Sequence, residues 1–363
     1  MTAAAPQIIN GDNFPLAEAR AIAKRFSRPK AIIYWVDFSI SISIAWAAFY
    51  VAVVSPAFSL IQIGAILVAS LAHYRAVIFT HELAHLKRGT FTVFRAVWNI
   101  FSGIPMMVPS FSYTGVHIDH HRPGIYGFKE DGEYVPFATG KPWRIIAYLL
   151  LIFVLPLLMA ARFIVLAPLS YLIPPLRGIL WKSLSSLAID LNYARPPQGK
   201  QDDESWRLQE FGGFVLGAGV ITLVVLNVLP VTVLVIWYAI AVIIFLMNSL
   251  RTLAAHAYRN PGDQLMSRSD EFLDSVNVPG IPFITALWAP VGLRFHATHH
   301  LFPSMPYHEI EKVHKALVAE LPDNTAYLSA SRKSLLDALV RLWNEASQAQ
   351  SNEGRWRAGD QLS

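Results

Sequence analysis

Four long apolar regions, separated by polar and basic stretches, set the pattern of this chain: residues 31–54, 57–79, 145–173 and 211–248. A helix needs about 20 consecutive apolar residues to cross a bilayer. The first two regions therefore predict one span each, joined by a tight hairpin at Ser55-Pro56. The fourth is long enough for two spans. Asn227 and Pro230 place a turn near its middle, which predicts spans of 211–229 and 231–249.

The third region reads differently. Pro156, Pro168, Pro174 and Pro175 interrupt it, and Arg162 lies in its interior, where an unpaired charge is costly. A single crossing would also place Arg177, Lys182, Arg195, Lys200 and Arg207 opposite Lys87, Arg88, Arg95, Arg122 and Lys129, against the tendency of basic loops to stay cytoplasmic. Region 145–173 is therefore expected to be a re-entrant or interfacial helical element. The resulting fold is an all-α integral membrane protein. It has four transmembrane helices in two hairpins, the interfacial element, and a cytoplasmic helical cap formed by 81–144 and 250–345. Residues 1–30 form a cytoplasmic N-terminal segment with no secretory-signal pattern. The tail 346–363, rich in Gln, Ser, Asn and Gly, is expected to be disordered.

Composition agrees with a bilayer as solvent: 54% of the 363 residues are hydrophobic and 15% charged, and mean hydropathy is +0.39. The formal charge of +5 comes from basic residues flanking apolar runs, without the aromatic-interleaved basic stripe of a nucleic-acid binder. Cysteine is absent, so disulfides, zinc-thiolate and iron–sulfur sites are excluded and any metal must take nitrogen or oxygen ligands.

Twelve histidines are available. His81-Glu-Leu-Ala-His85 places two imidazoles at i and i+4 on a helix continuing out of the second span. His117-Ile-Asp-His120-His121 and His296-Ala-Thr-His299-His300 each place three rings within one turn, expected to point the same way. At this histidine frequency a given His starts an HxxHH pattern by chance with probability about 0.001. Eight clustered imidazoles exceed the four ligands of one tetrahedral ion, so two metal ions are implied. His256 is a single further ligand candidate, just beyond the last span, where its helix is expected to leave the membrane as the second one does. His73, His308 and His314 read as structural residues, as supports behind the ligands, or as exposed side chains.

The order HxxxH, HxxHH, a pair of spans, a single His, then HxxHH followed by Leu301-Phe-Pro resembles the membrane fatty acid desaturase superfamily. Arg251-Thr-Leu-Ala-Ala-His256 and the run from Arg294 to Tyr307 resemble its bacterial members. The resemblance covers roughly residues 31–317. It implies that His81, His85, His117, His120, His121, His256, His296, His299 and His300 ligate two ferrous irons, with dioxygen as co-substrate, in a bacterial inner membrane with the site on the cytoplasmic side. Some relatives carry an Asn one helical turn before the single histidine; here Thr252 holds that position and Asn248 lies one turn further back.

The expected activity is desaturation of an acyl chain. An alkyl C–H bond offers neither an acidic proton nor a polarised carbon, so a redox metal is required. Glu82 and Asp119 are the acidic neighbours expected to orient imidazoles. Phe94, Trp98, Trp288 and Phe295 are candidates to line an acyl tunnel, or, for some of them and more readily, to act as interface-belt or core aromatics. With no cysteine and no recognisable haem module, electrons are expected from an external ferredoxin or b-type cytochrome with its reductase. The same histidine architecture serves hydroxylases and ketolases of alkanes, sphingolipids or carotenoids. His81-Glu82-xx-His85 alone also matches a zinc protease. A transporter using histidines as a proton relay would place them near mid-span, not at the span ends.

Overall fold

The computed structural model describes residues 14–87, 89–199, 205–262, 264–322 and 324–351. Among the described residues the chain is helical and has no strand, only isolated bridges at His256–Ser275, Asn277–Phe295 and Asn277–Ser331. Helices α1 (Ala31–Val54) and α2 (Leu60–His85) form the first hairpin. Ser59 caps α2 by accepting the Gln62 N–H, and the Gln62 amide donates to the Ala52 carbonyl at 3.0 Å, closing the turn. Buried Ala45, Ala48, Ala52 and Ala69 keep side-chain bulk out of the seam between the two. Asp37 of α1 accepts two hydrogen bonds from Arg75 of α2, at 2.7 and 2.6 Å.

After α3 (Phe111–His120), the second hairpin comprises α4 (Trp206–Val225) and α5 (Thr232–Ala255). Its turn uses Asn227 at φ 57°, a left-handed conformation that Asn tolerates well. Ile236, Ile240, Ala241 and Ile244 of α5 pack into the core shared with α1 and α2. The cap includes α6 (His296–Leu301) and α7 (Leu335–Ser351).

The third apolar region is a chain of helical pieces. Trp143–Leu150 is followed by a 3-10 turn, then Leu155–Ala161, a π turn at Arg162–Leu166, and Ala167–Leu172. Among the described residues five helices are long and apolar enough to cross a membrane, one more than expected; the fifth is Leu155–Leu172. Its contacts fold it back. Ile145 and Tyr148 cluster with Phe137 and Tyr258 of the cap, whereas the Phe153 carbonyl accepts the hydroxyl of Tyr238, near the opposite end of α5. Arg162 then pairs with Glu210, at the start of α4, at 2.7 Å and donates to the Leu184 carbonyl. Tyr171 and Arg177 reach the other oxygen of the same carboxylate. Arg162 is therefore not an uncompensated charge, which removes one of the sequence arguments against a crossing. Gly213 and Gly217 of α4 admit this segment: a Cβ at Gly217 would lie 2.5 Å from Ile164 Cγ1. A reporter fused after Arg177 is expected to score on the same side as the histidines; an opposite score would make Leu155–Leu172 a fifth span.

Helix α7 runs past the expected boundary at 345. Ala346 and Ala349 are buried, and Arg259 clamps Glu345 with bonds of 3.0 and 2.6 Å. An apolar stripe packed on the cap thus orders residues 346–351 that composition alone marks as tail. Residues 352–363 and 1–13 lie outside the described residues, while Leu16–Ala23 is a helix whose Ala19 and Ala23 are buried in the cap.

Candidate metal centre

Nine histidines arrive from four directions at one end of the bundle. His81 and His85 sit on the last turn of α2, which continues unbroken from the hairpin. His117 and His120 lie in the last turn of α3, and His121 is the residue that caps its C-terminus. His296, His299 and His300 occupy α6. α5 stops at Ala255, so His256 is not helical as expected but extended (φ −129°, ψ 158°). The cause is the segment 274–278: the Val276 N–H donates to the Ala255 carbonyl, the Ala257 N–H to the Asp274 carbonyl, and the Val278 N–H to the Arg294 carbonyl. One strip of backbone thereby joins the exit of α5 to the entrance of α6.

The imidazoles divide into two sets. His81, His85, His117, His121 and His299 form one; His120, His256, His296 and His300 form the other; within each set one nitrogen per residue lies within 4.8 Å of all the rest. Each HxxHH turn serves both. At about 100° per residue, i+4 lies about 40° to one side of i and i+3 about 60° to the other. His117 and His121 therefore go to the first set and His120 to the second, while His296 and His300 go to the second and His299 to the first. The rings fan across the turn rather than pointing the same way.

Facing nitrogens are spaced as ligands are. Nε2 atoms lie 2.7 Å apart in His85 and His117, 3.1 Å in His121 and His299, 2.9 Å in His256 and His296, and 3.2 Å in His296 and His300. Two nitrogens at right angles on a metal with bonds of about 2.1 Å are about 3.0 Å apart. Nε2 of His120 and both nitrogens of His81 are buried without a hydrogen-bond partner, and such atoms call for an ion or another partner. Burial, followed by neighbouring imidazoles, holds His121, His256, His296, His299 and His300 well below the ordinary histidine value, so their lone pairs are free. The donor set fits two nitrogen-ligated cations.

Three of the outward nitrogens, those of His117, His120 and His256, are held from behind. His120 Nδ1 donates to Asp131 at 2.8 Å, and His117 Nδ1 to Glu133 at 3.0 Å. His256 Nδ1 donates to the Tyr126 hydroxyl at 2.9 Å, which in turn donates to Asp274 at 3.1 Å. Burial lowers His120, but the Asp131 carboxylate outweighs it and leaves that imidazole raised; Glu133, which burial would raise, is held below its usual value chiefly by His117.

These carboxylates are not the ones expected. Glu82 accepts from the Tyr34 hydroxyl (2.7 Å) and the Tyr307 N–H (3.1 Å), and its approach to His81 Nδ1 is only 4.0 Å. It is committed to tying α1 to the cap, which deprives the zinc-protease reading of its general base. Asp119 pairs with Arg122 and Tyr193. Thr252 and Asn248 both bond Arg251, with no bond to a histidine. His73 stacks edge-on against Trp46, His308 accepts the Lys30 N–H, and His314 meets the Tyr327 hydroxyl. Asp131 and Glu133 escaped the reading because no helical period links them to α3. The available signal was three acids, Glu130, Asp131 and Glu133, in a glycine-punctuated stretch about ten residues beyond an HxxHH turn.

A cavity of about 150 Å³ opens beside the histidines. His81, Tyr113 and Glu133 form its metal end; Tyr74, Asn248, Arg251 and Thr252 follow; Val77, Met106, Leu155 and Phe245 make an apolar wall. None of the four candidate aromatics lines it, and the core role holds for Phe94 and Trp98. Trp98 donates its indole N–H to the Ala76 carbonyl inside the core, Phe94 packs against Tyr34 and Phe38, Phe295 against His314, and the Trp288 carbonyl accepts the Tyr74 hydroxyl.

Two polyhistidine clusters at the end of a bundle of apolar helices define a membrane protein with groups of histidines able to hold metal. Residues 57–331 match the fatty acid desaturase family, and the chain belongs to it. A ceramide hydroxylase of Caulobacter vibrioides (strain NA1000 / CB15N) is 38% identical over 331 residues, 91% of this chain and 93% of that protein. No solved structure matches the chain.

Proposed function

We propose that this protein is a dioxygen-dependent hydroxylase of a long-chain N-acyl lipid of the ceramide class, with two irons held by the nine histidines. The observation that carries the reading is the hydroxylase relative, whose alignment takes in 91% of the chain. It favours oxygen insertion over the desaturation that the histidine pattern alone suggests. Iron, when bound, supplies the dioxygen-derived oxidising chemistry that an unactivated C–H bond demands.

The balance is one C–H bond and one dioxygen, with two electrons and two protons, giving one C–OH and one water. Electrons come from an external ferredoxin or b-type cytochrome with its reductase. Asp131, Glu133 and Tyr126 hold their imidazoles in the tautomer that turns Nε2 inward. The apolar cavity wall excludes water and fixes a methylene near the clusters. The basic loops support a position for this end of the bundle on the cytoplasmic face of an inner membrane.

Expression in a host lacking the activity, followed by lipid mass spectrometry, tests the reading. Ceramide-class lipids are expected to gain one oxygen. A loss of two hydrogens would make the enzyme a desaturase, and zinc in place of iron in the purified protein would refute the oxidase assignment altogether.

A further inference from the structure

We propose that Arg251 receives the acyl carbonyl of the lipid, so that the carbon oxidised lies beside the polar head group and not at mid-chain or at the methyl end. This rests on the reading of the site as a lipid hydroxylase. Arg251 is only 9% exposed, lies on the last turn of α5, and lines the same cavity as His81 and Glu133. Its guanidinium donates to Asn248 Oδ1 at 3.1 Å and Thr252 Oγ1 at 2.9 Å. Among the described residues no carboxylate lies within ion-pair distance of it, and Glu133, the acid in its field, is bonded to His117. A buried cation with neutral partners is costly and is retained where an acceptor completes it. A carbonyl oxygen is such an acceptor; an alkyl chain is not.

The lining points the same way. The polar Tyr74, Asn248, Arg251 and Thr252 share the cavity with the apolar Leu155, Met159 and Phe245, which are themselves only half-buried and offer the hydrocarbon its way out. A methyl terminus entering first would set hydrocarbon against Arg251, Tyr74 and Thr252 and leave them without new partners.

The test uses the full-length iron-loaded protein in nanodiscs under anaerobic conditions, with three probes of equal chain length: an N-acyl sphingoid base, a fatty acid and an alkane. Wild type is expected to bind a carbonyl probe roughly tenfold or more tighter than the alkane; the first two probes distinguish an amide from a carboxylate. Arg251→Met is expected to lose that preference while keeping alkane binding and iron content, and Arg251→Lys to recover part of it. Equal binding of alkane and carbonyl probes by wild type, or an unchanged preference in Arg251→Met, overturns the proposal. Should Arg251→Met lose iron, the Lys variant decides: full iron with a carbonyl preference kept at least in part supports it, full iron with no preference, or loss of iron there too, overturns it in favour of a structural arginine. Product analysis gives the independent readout, since oxygen at mid-chain or the methyl end refutes the proposal yet leaves hydroxylation standing, whereas no oxygen gain at all refutes hydroxylation itself.

Discussion

Replacing His299 with alanine is expected to abolish lipid oxidation and to remove about one iron per chain, leaving the other set of histidines occupied. His299 is the one α6 residue that reaches the five-histidine set; His296 and His300 belong to the other. Its Nε2 faces that of His121 at 3.1 Å, and its ring packs on His81 and His85 with centroids 4.4 and 4.5 Å away. Alanine leaves a hole in the middle of this set, not at its edge. A metal contributes several kcal/mol to such chemistry, so displacing one lowers turnover by roughly a thousandfold or more. His300→Ala is expected to produce the complementary loss at the four-histidine set. Metal analysis and lipid mass spectrometry on both variants check the pair. Full iron content and wild-type products from His299→Ala would show that the two sets do not hold the metals.

The histidines that cluster were legible because helical periodicity writes itself directly into residue spacing. HxxxH and HxxHH can be read without knowing where the helices go, and the alternation of 31–54 with 57–79 betrays a hairpin as plainly. What spacing does not encode is partition between metals, since that depends on how α3 and α6 rotate against each other. His256 shows the same limit. Its proximity to a span was visible, but its extended backbone depends on pairing with Ser275, nineteen residues away. The third apolar region was ambiguous for a related reason: the charge of Arg162 is met by Glu210, on a helix whose position no local pattern announces. The acids misled most. Glu82 and Asp119 stand next to histidines in sequence, yet side chains adjacent on a helix point about 100° apart. The carboxylates that reach imidazoles come instead from the loop after α3, where proximity is created by the fold alone.

That loop carries the second large effect. Asp131 is completely buried and accepts three kinds of hydrogen bond: from His120 Nδ1 at 2.8 Å, from the Gly127 N–H at 2.9 Å and from the Glu133 N–H at 2.9 Å. The carboxylate thus shapes the very loop that presents Glu133 to His117. Asp131→Ala is expected to weaken metal binding at the four-histidine set by about 10- to 100-fold. It is also expected to destabilise the cap by several kcal/mol, because the donors left behind are buried. Asp131→Asn preserves shape and one acceptor oxygen but not the charge, so its loss of affinity falls between wild type and alanine. Asp119 supplies the control from the same neighbourhood. It is bonded by Arg122 and Tyr193 and touches no imidazole through a hydrogen bond, so Asp119→Asn is expected to change metal affinity less than about threefold. Metal titration of the three variants, with thermal melting alongside, measures both terms. If Asp119→Asn proved the more damaging, sequence adjacency would have been the better guide and the role assigned to the buried loop would be wrong.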